Sequence, residues 1–135
     1  MNSKLSTTLK QHVPTRWNSE LTSISSYLKV KDEVKELCLK KKSLEKISGI
    51  NDSVLMELEA FLEPIAHASE VLNGDTYPTI HLVALYFHQL EDHLKCESDD
   101  DSAEIKLLKK QAILCFEEYC VVDDFLYMAA MFDPR

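Results

Sequence analysis

The strongest constraint on the fold is a stretch in which apolar side chains recur at helical spacing from residue 53 to residue 73. Its apolar positions are Val54, Leu58, Phe61, Ile65, Ala68 and Leu72. Pro64 lies inside the stretch, but the apolar pattern keeps its phase across it, so we predict one kinked helix rather than two. Asn51 or Asp52 can cap its start, and Asn73-Gly74 can end it in a left-handed conformation. We expect this helix to be the central packing element.

Helical spacing recurs on both sides of this stretch. One pattern runs from about residue 16 to residue 38, as one helix or as two consecutive ones, and Lys40-Lys41-Lys42 marks its end. Others cover residues 80–95, 105–119 and 125–132. The last two predict one longer helix followed by a short one.

Two boundaries among these later helices also have sequence signals. Pro78 suits the first helical position of the 80–95 stretch. Asp101 with Glu104 resembles a capping box at the start of the following helix. The acidic residues 97–101 that precede it predict a mobile loop.

Turn-forming residues are scarce, with two glycines and four prolines in 135 residues. Together with the helical patterns, this scarcity predicts an all-α fold, a single irregular helical domain of about five or six helices. We place this domain at residues 15–135, after an irregular lead-in over residues 1–14.

Composition also bears on the class of protein. No apolar run reaches the length of a membrane span, and the N-terminus lacks the apolar segment of a signal peptide. Without a spanning segment, we expect no membrane partner. The four cysteines have no paired spacing, which predicts reduced thiols in an intracellular protein.

The charges are unevenly distributed along the chain. Residues 1–49 contain ten Lys and Arg against five Asp and Glu, whereas residues 50–101 contain one against twelve. Residues 102–135 contain four against six. Because acidic surfaces repel phosphate, any DNA-binding surface belongs to the first third of the chain.

The first third also contains the only tryptophan, Trp17, directly after Arg16. Pro14 favours an extended entry, and Thr15 can cap a helix that begins at Arg16. A cation and a large ring at a helix start suit an anion or a nucleic-acid backbone. The alternative, favoured by residue physics alone, is that Trp17 is the first core residue of its helix.

Possible metal ligands form no recognised motif. His81, His88, His93 and Cys96 share a helical region but lack paired metal-ligand spacing, so we interpret them as surface or core-rim residues. The carboxylate pairs Glu117-Glu118 and Asp123-Asp124 are interpreted as solvated, because adjacent residues on a helix point apart. The sequence therefore predicts no metal or cofactor site in this chain.

Three ordered blocks carry a resemblance to a known family. Residues 9–19, which contain Pro14-Thr15-Arg16-Trp17-Asn18-Ser19, resemble the arginine–tryptophan motif of hAT (hobo–Activator type) transposases and their domesticated zinc-finger BED-type relatives. Residues 61–65, followed by Tyr77-Pro78-Thr79, resemble the next block of that family, and residues 127–135 resemble a later one. Phe132 replaces the leucine that is usual there.

The resemblance implies that this chain is a fragment of the helical insertion in an RNase-H-like catalytic region. The family's two aspartates and glutamate, which hold divalent magnesium or manganese, would lie outside it, so the fragment would have no catalytic residue and no cofactor. The family is nuclear, and its motif tryptophan is thought to stack on a flipped base. Arg16, Trp17 and Lys10 are therefore the candidate DNA contacts.

A second function remains open alongside DNA contact. The acidic middle and the missing carboxylate triad also suit a domesticated helical module that binds proteins and has lost DNA chemistry. Its partner would be another protein or the remainder of the parent transposase.

Overall fold

The computed structural model describes residues 8–10, 18–43, 45, 47–74 and 78–132. These residues form no strand and five helices, α1 (Asn18–Lys40), α2 (Asp52–Leu72), α3 (Ile80–Lys95), α4 (Ala103–Tyr119) and α5 (Asp124–Met131). The prediction of an all-α fold with about five or six helices is confirmed. The predicted boundary at residue 14 lies outside the described residues.

The chain forms two compact units, Met1–Ala60 (unit 1) and Phe61–Arg135 (unit 2). Helix α1 belongs to unit 1, and helices α3, α4 and α5 belong to unit 2. Helix α2 contributes its first turns to unit 1 and its remaining turns to unit 2.

The apolar pattern over residues 16–38 forms one helix rather than two in the described residues, because α1 is continuous from Asn18 to Lys40. It ends at the predicted lysine run in a Schellman motif. The Ser43 N–H donates to the Cys38 carbonyl at 2.9 Å, and the Lys42 N–H donates to the Leu39 carbonyl at 3.2 Å. Lys42 adopts the left-handed conformation that this motif requires, with φ of 52°.

Asp52, the first residue of α2, joins the two helices of unit 1. Its carboxylate accepts a hydrogen bond from the Tyr27 hydroxyl at 3.1 Å and another from the Lys35 ammonium group. The bond from Lys35 is the main reason that the pKa of Asp52 is lowered. Asn51 provides the N-cap instead, because its side chain accepts from the Ser53 N–H at 3.1 Å.

Helix α2 is continuous across Pro64, as predicted, whereas the bend at that residue stays a prediction. Pro64 has no N–H and cannot donate to the carbonyl four residues before it. In the same turn, His93 Nε2 of α3 lies 3.1 Å from the Phe61 carbonyl oxygen. A carbonyl only accepts, so His93 carries a proton on Nε2 and donates it. The two rings lie 5.8 Å apart.

The end of α2 differs from the sequence prediction, because neither Asn73 nor Gly74 has a positive φ. The Asn73 N–H donates to the Ser69 carbonyl at 3.0 Å, and the Thr79 hydroxyl donates to the Leu72 carbonyl at 3.0 Å. A side chain from the next helix start therefore satisfies a terminal carbonyl, and no left-handed residue is needed. Helix α3 begins at Ile80 with Thr79 as N-cap, so Pro78 precedes it rather than opening it.

Within unit 2, α3 is the helix that contacts each of the others. It pairs with α2 through Phe61–His93 and through the rings of His67 and Tyr86, which lie 5.9 Å apart. It meets α4 through Phe87 and Phe116, at 5.7 Å, and α5 through His88 and Tyr127. The prediction that α2 is the central packing element of the chain stays a prediction, whereas α3 is the helix that joins the others within unit 2.

The acidic loop between α3 and α4 is tied down by Lys109, which is 8% exposed. The Lys109 ammonium group donates to Asp101 Oδ2 at 2.6 Å and to the Cys96 carbonyl at 2.8 Å. Ser102 caps α4 by accepting from the Ile105 N–H, so the predicted capping box of Asp101 and Glu104 is wrong. The sequence could not show that Asp101 is engaged by a lysine eight residues later.

The left-handed conformation of Lys42 leads to a stability prediction. A side chain in that conformation costs about 1 kcal/mol, and glycine adopts it without strain. We expect Lys42→Gly to raise the free energy of unfolding by about 0.5–1 kcal/mol in urea denaturation followed by circular dichroism. Lys41→Gly removes the same charge at a residue with negative φ, so it should lower stability. Equal effects of the two substitutions would contradict this account.

A second prediction concerns Asp101 at acid pH. The hydrogen bond from Lys109, and then the one from the Ser98 N–H, hold the pKa of Asp101 below its usual value. The folded state therefore favours the carboxylate, which contributes stability above the unfolded pKa of about 3.9. That stability is lost as the pH falls through the lower folded pKa. Asp101→Asn should destabilise the chain at pH 7, and its difference from the wild type should shrink in acid.

The control for this measurement is Asp100→Asn, since Asp100 is exposed in the same loop. In urea denaturation, the two variants should differ more in stability at pH 7 than at pH 3. A difference that stays constant over this range would show that the Asp101 carboxylate has no stabilising partner.

Candidate functional site

Two of the three candidate DNA contacts, Arg16 and Trp17, lie outside the described residues. The third, Lys10, is exposed. Its backbone N–H donates to the Ser26 hydroxyl at 3.1 Å, and that hydroxyl donates to the Ser23 carbonyl at 2.8 Å. Because Ser26 is buried in α1, residues 8–10 are held against this helix. The structure thus gives a position to one of the three candidate contacts.

The exposed surface of α1 carries both basic and acidic residues. Lys29, Asp32, Glu36 and Lys40 are all exposed, at spacings of three and four residues that place them on one face. Lys40 is paired with Glu36 at 2.7 Å. This face is therefore mixed in charge, and the exposed Lys41 and Lys42 at the end of α1 form the most basic part of the described surface in unit 1.

The histidines singled out by sequence have separate partners. His93 bonds to the Phe61 carbonyl, and His88 Nε2 shares a hydrogen bond of 3.0 Å with the Tyr127 hydroxyl. Cys96 is exposed and its carbonyl accepts from Lys109. Asp123 caps α5 by accepting from the Leu126 N–H at 3.0 Å. In the part of the chain that the structure describes, no three His, Cys, Asp or Glu residues are arranged to hold a metal ion.

A cleft lies between α3 and α4 in unit 2, and it consists of two adjoining cavities. The larger, here called the apolar cavity, has a volume of about 350 Å³. Its walls come from α2, α3, α4 and the residue after α4, namely Ile65, Leu90, Leu94, Ala112, Cys115, Phe116, Tyr119 and Cys120. Tyr119 is 77% exposed, so this cavity is open at its edge.

The second cavity, here called the acidic cavity, has a volume of about 260 Å³. Its walls are two phenyl rings, two carboxylates, a histidine, a thiol and two valines, namely Phe87, Phe116, Glu91, Glu117, His88, Cys120, Val121 and Val122. Phe116 and Cys120 line both cavities, which are therefore neighbours along α4. Together they form the α3–α4 cleft.

A chain of polar contacts runs along the acidic cavity. The Lys95 ammonium group bonds to Glu91 Oε1 and lies 4.0 Å from the Glu117 carboxylate. This bond lowers the pKa of Glu91 and raises the pKa of Lys95, so both are ionised at neutral pH. His88 Nδ1 lies 3.7 Å from Glu91 Oε2, beyond hydrogen-bond distance.

Cys120 gives the cleft no nucleophile. Burial raises the pKa of its thiol, so it is protonated at neutral pH, and the thiolate is the reactive form. The rings, carboxylates and apolar walls of the cleft are suited to binding a ligand that has both cationic and apolar groups.

Large apolar side chains are exposed throughout the end of unit 2. Helix α5 has no buried residue. Its Phe125 and Met128 share one face at helical spacing with Phe132, the C-cap residue, and the three are 58%, 50% and 83% exposed. On α4, Leu107 and Leu114 are two turns apart and are also exposed. Exposed apolar surface of this kind is typical of contact sites for other proteins.

Phe87 and Phe116 fall within the helices predicted over residues 80–95 and 105–119, but their spacing alone predicted no cleft. The signal that sequence analysis missed is the spacing of Phe87 and Glu91, four residues apart, which places a ring and a carboxylate on one face of α3. Without knowledge of which helix lies opposite, that spacing did not identify a cleft.

No known protein family, curated protein or solved structure matches this chain. None of the helices in the described ranges is long and apolar enough to cross a membrane.

Proposed function

We propose that this chain is a non-catalytic helical segment of a protein related to the hAT transposases, and that its unit 2 docks a protein partner. In this proposal, the nuclear location and the metal-dependent chemistry belong to the parent protein. The resemblance of the three sequence blocks supports the relationship, and the surface of unit 2 supports the docking.

The observation that carries the docking proposal is the exposed apolar face of α5. This eight-residue helix packs on α3 but has no buried residue, and it leaves phenylalanine and methionine side chains on its outer face in contact with water. A partner that covers Phe125, Met128 and Phe132 would remove this surface from water, at roughly 25 cal/mol per Å² of apolar area. Helical faces with anchors at this spacing are a common mode of protein recognition.

The charge of unit 2 also favours a protein over DNA. Residues 61–135 contain fifteen Asp and Glu against five Lys and Arg. Binding to DNA derives most of its affinity from cations that neutralise phosphates, and this unit has an excess of the opposite charge.

Selection from a library of random displayed peptides tests the docking proposal. We expect the full chain to enrich a family of related peptides that compete with one another for binding. Phe125→Glu places a charge on the apolar face of α5, on a residue that is already exposed, and should abolish the enrichment. Gln111→Glu adds the same charge at an exposed position of α4 outside the lining of either cavity and should preserve it.

Two results would argue against this function. One is the absence of any enriched family, and the other is equal enrichment by the two variants. Thermal melts of both variants would confirm that each is folded before the selections are compared.

Contact with DNA through Arg16, Trp17 and Lys10 is a second candidate function. The observation that favours it is the bond from Lys10 to Ser26, which holds an exposed lysine of the motif region against α1. Lys29, Lys41 and Lys42 are exposed and could add contacts with the DNA backbone. The mixed charge of α1 predicts that such binding is weak and strongly dependent on salt.

Fluorescence anisotropy with a labelled duplex containing an abasic position tests this candidate. If Trp17 stacks on an unpaired base, Trp17→Ala should weaken binding by the equivalent of about 1–3 kcal/mol and leave the thermal melt nearly unchanged. Lys110→Gln, in acidic unit 2, should leave binding unchanged. If Trp17 is instead a core residue, Trp17→Ala should cost about 3–5 kcal/mol of stability, and the DNA role would be contradicted.

A further inference from the structure

Two phenyl rings and two carboxylates converge in the acidic cavity. The rings of Phe87 and Phe116 lie 5.7 Å apart in an edge-to-face arrangement, and Glu91 and Glu117 line the same cavity. Aromatic faces attract cations, and carboxylates bind ammonium or guanidinium groups with charge-assisted hydrogen bonds. The chemistry of this cavity therefore matches an organic cation.

Lys95 neutralises only part of this acidic site. It bonds to one oxygen of Glu91, whereas the other oxygen, Oε2, lies 3.7 Å from His88 Nδ1. Glu117 is 57% exposed, and its ion pair with Lys95 spans 4.0 Å, too long for a hydrogen bond. One carboxylate and one further oxygen remain available to an incoming cation.

The adjoining apolar cavity provides a different kind of contact. This cavity has a volume of about 350 Å³. Leu90 and Leu94 of α3 line one side of it, and Ala112 and Tyr119 of α4 line the other. Because Phe116 lines both cavities, a ligand can place an apolar group on one side of this ring and a cation on the other.

The geometry points to a protein segment rather than a small molecule as the occupant. Sites for small molecules usually enclose most of their ligand, but the walls of this cleft include Tyr119, Cys115 and Glu117, which are all exposed. The net negative charge of residues 61–135 would also attract a basic segment over a distance.

We propose that the α3–α4 cleft binds a protein segment in which an arginine or lysine neighbours an apolar side chain. The apolar side chain occupies the apolar cavity, and the cation lies against Phe87 and Phe116, within reach of Glu91 and Glu117. This proposal rests on the docking function of unit 2 and specifies the chemistry of its partner.

Anisotropy with a short fluorescein-labelled peptide that contains leucine next to arginine tests the proposal on the full chain. A matched peptide has citrulline, which is neutral and nearly isosteric, in place of arginine. We expect the arginine peptide to bind the wild type about tenfold more tightly than the citrulline peptide. Raising the salt concentration should reduce this difference.

Charge reversal at two neighbouring positions locates the site. Glu117→Lys should weaken the arginine peptide about tenfold and leave the citrulline peptide nearly unaffected, a coupling that identifies Glu117 as a partner of the cation. Glu118→Lys makes the same change at the next residue, which is exposed and outside the cleft lining, and should have a much smaller effect. Both positions are exposed, so both variants should fold, as melts would verify.

Three outcomes would overturn the proposal. Equal binding of the arginine and citrulline peptides would refute the cationic partner, although an enriched peptide family would still support docking by unit 2. Equal effects of Glu117→Lys and Glu118→Lys would place the peptide elsewhere. A dimer of the wild type in sedimentation experiments that Glu117→Lys disrupts would identify a second copy of the chain as the occupant.

Discussion

The arrangement of unit 2 depends on the hydrogen bond from His93 to the Phe61 carbonyl. This bond lies in the turn of α2 that Pro64 disturbs, where a proline interrupts the regular ladder of backbone bonds. It also fixes the imidazole with Nε2 protonated, and the ring then packs against Phe61, which is 5% exposed. A residue that looked incidental in the sequence therefore attaches α3 to the buried part of α2.

Helix α3 in turn provides one wall of both cavities in the proposed site. Phe87 and Glu91 line the acidic cavity, Leu90 and Leu94 line the apolar cavity, and His88 holds Tyr127 of α5. A shift of α3 relative to α4 would therefore change the shape of both cavities. The loop that follows is closed by Lys109 and Asp101, an ion pair whose side chains are 10% and 16% exposed. It fixes the connection from α3 to α4, on which the width of the cleft depends.

The sequence was sufficient for the helices, because each of the five carries an apolar pattern at helical spacing. It was less reliable at helix ends, where several residues compete for one role. Asn51 and Asp52 were both acceptable caps, and contacts with Tyr27 and Lys35 of α1 engage Asp52 and leave Asn51 as the cap. Asp101 had the spacing of a capping residue, but it binds Lys109 instead. Such outcomes depend on partners that are distant in the chain.

The candidate site was harder to predict for the same reason. Phe87 and Phe116 lie on different helices, and only the packing of α3 against α4 shows that they line an open cleft rather than a closed core. Arg16 and Trp17 illustrate the opposite case, since a distinctive motif predicts a function for residues outside those that the structure describes. The motif and the cleft thus support separate proposals for units 1 and 2.

Nuclear magnetic resonance of the His93 imidazole tests the central claim, that this side chain holds α3 through the Phe61 carbonyl. In protein labelled with ¹⁵N and ¹³C, the account predicts a slowly exchanging proton on His93 Nε2 and a scalar coupling from that nitrogen to the Phe61 carbonyl carbon. A rapidly exchanging imidazole without this coupling, in a chain that is otherwise folded, would contradict the account.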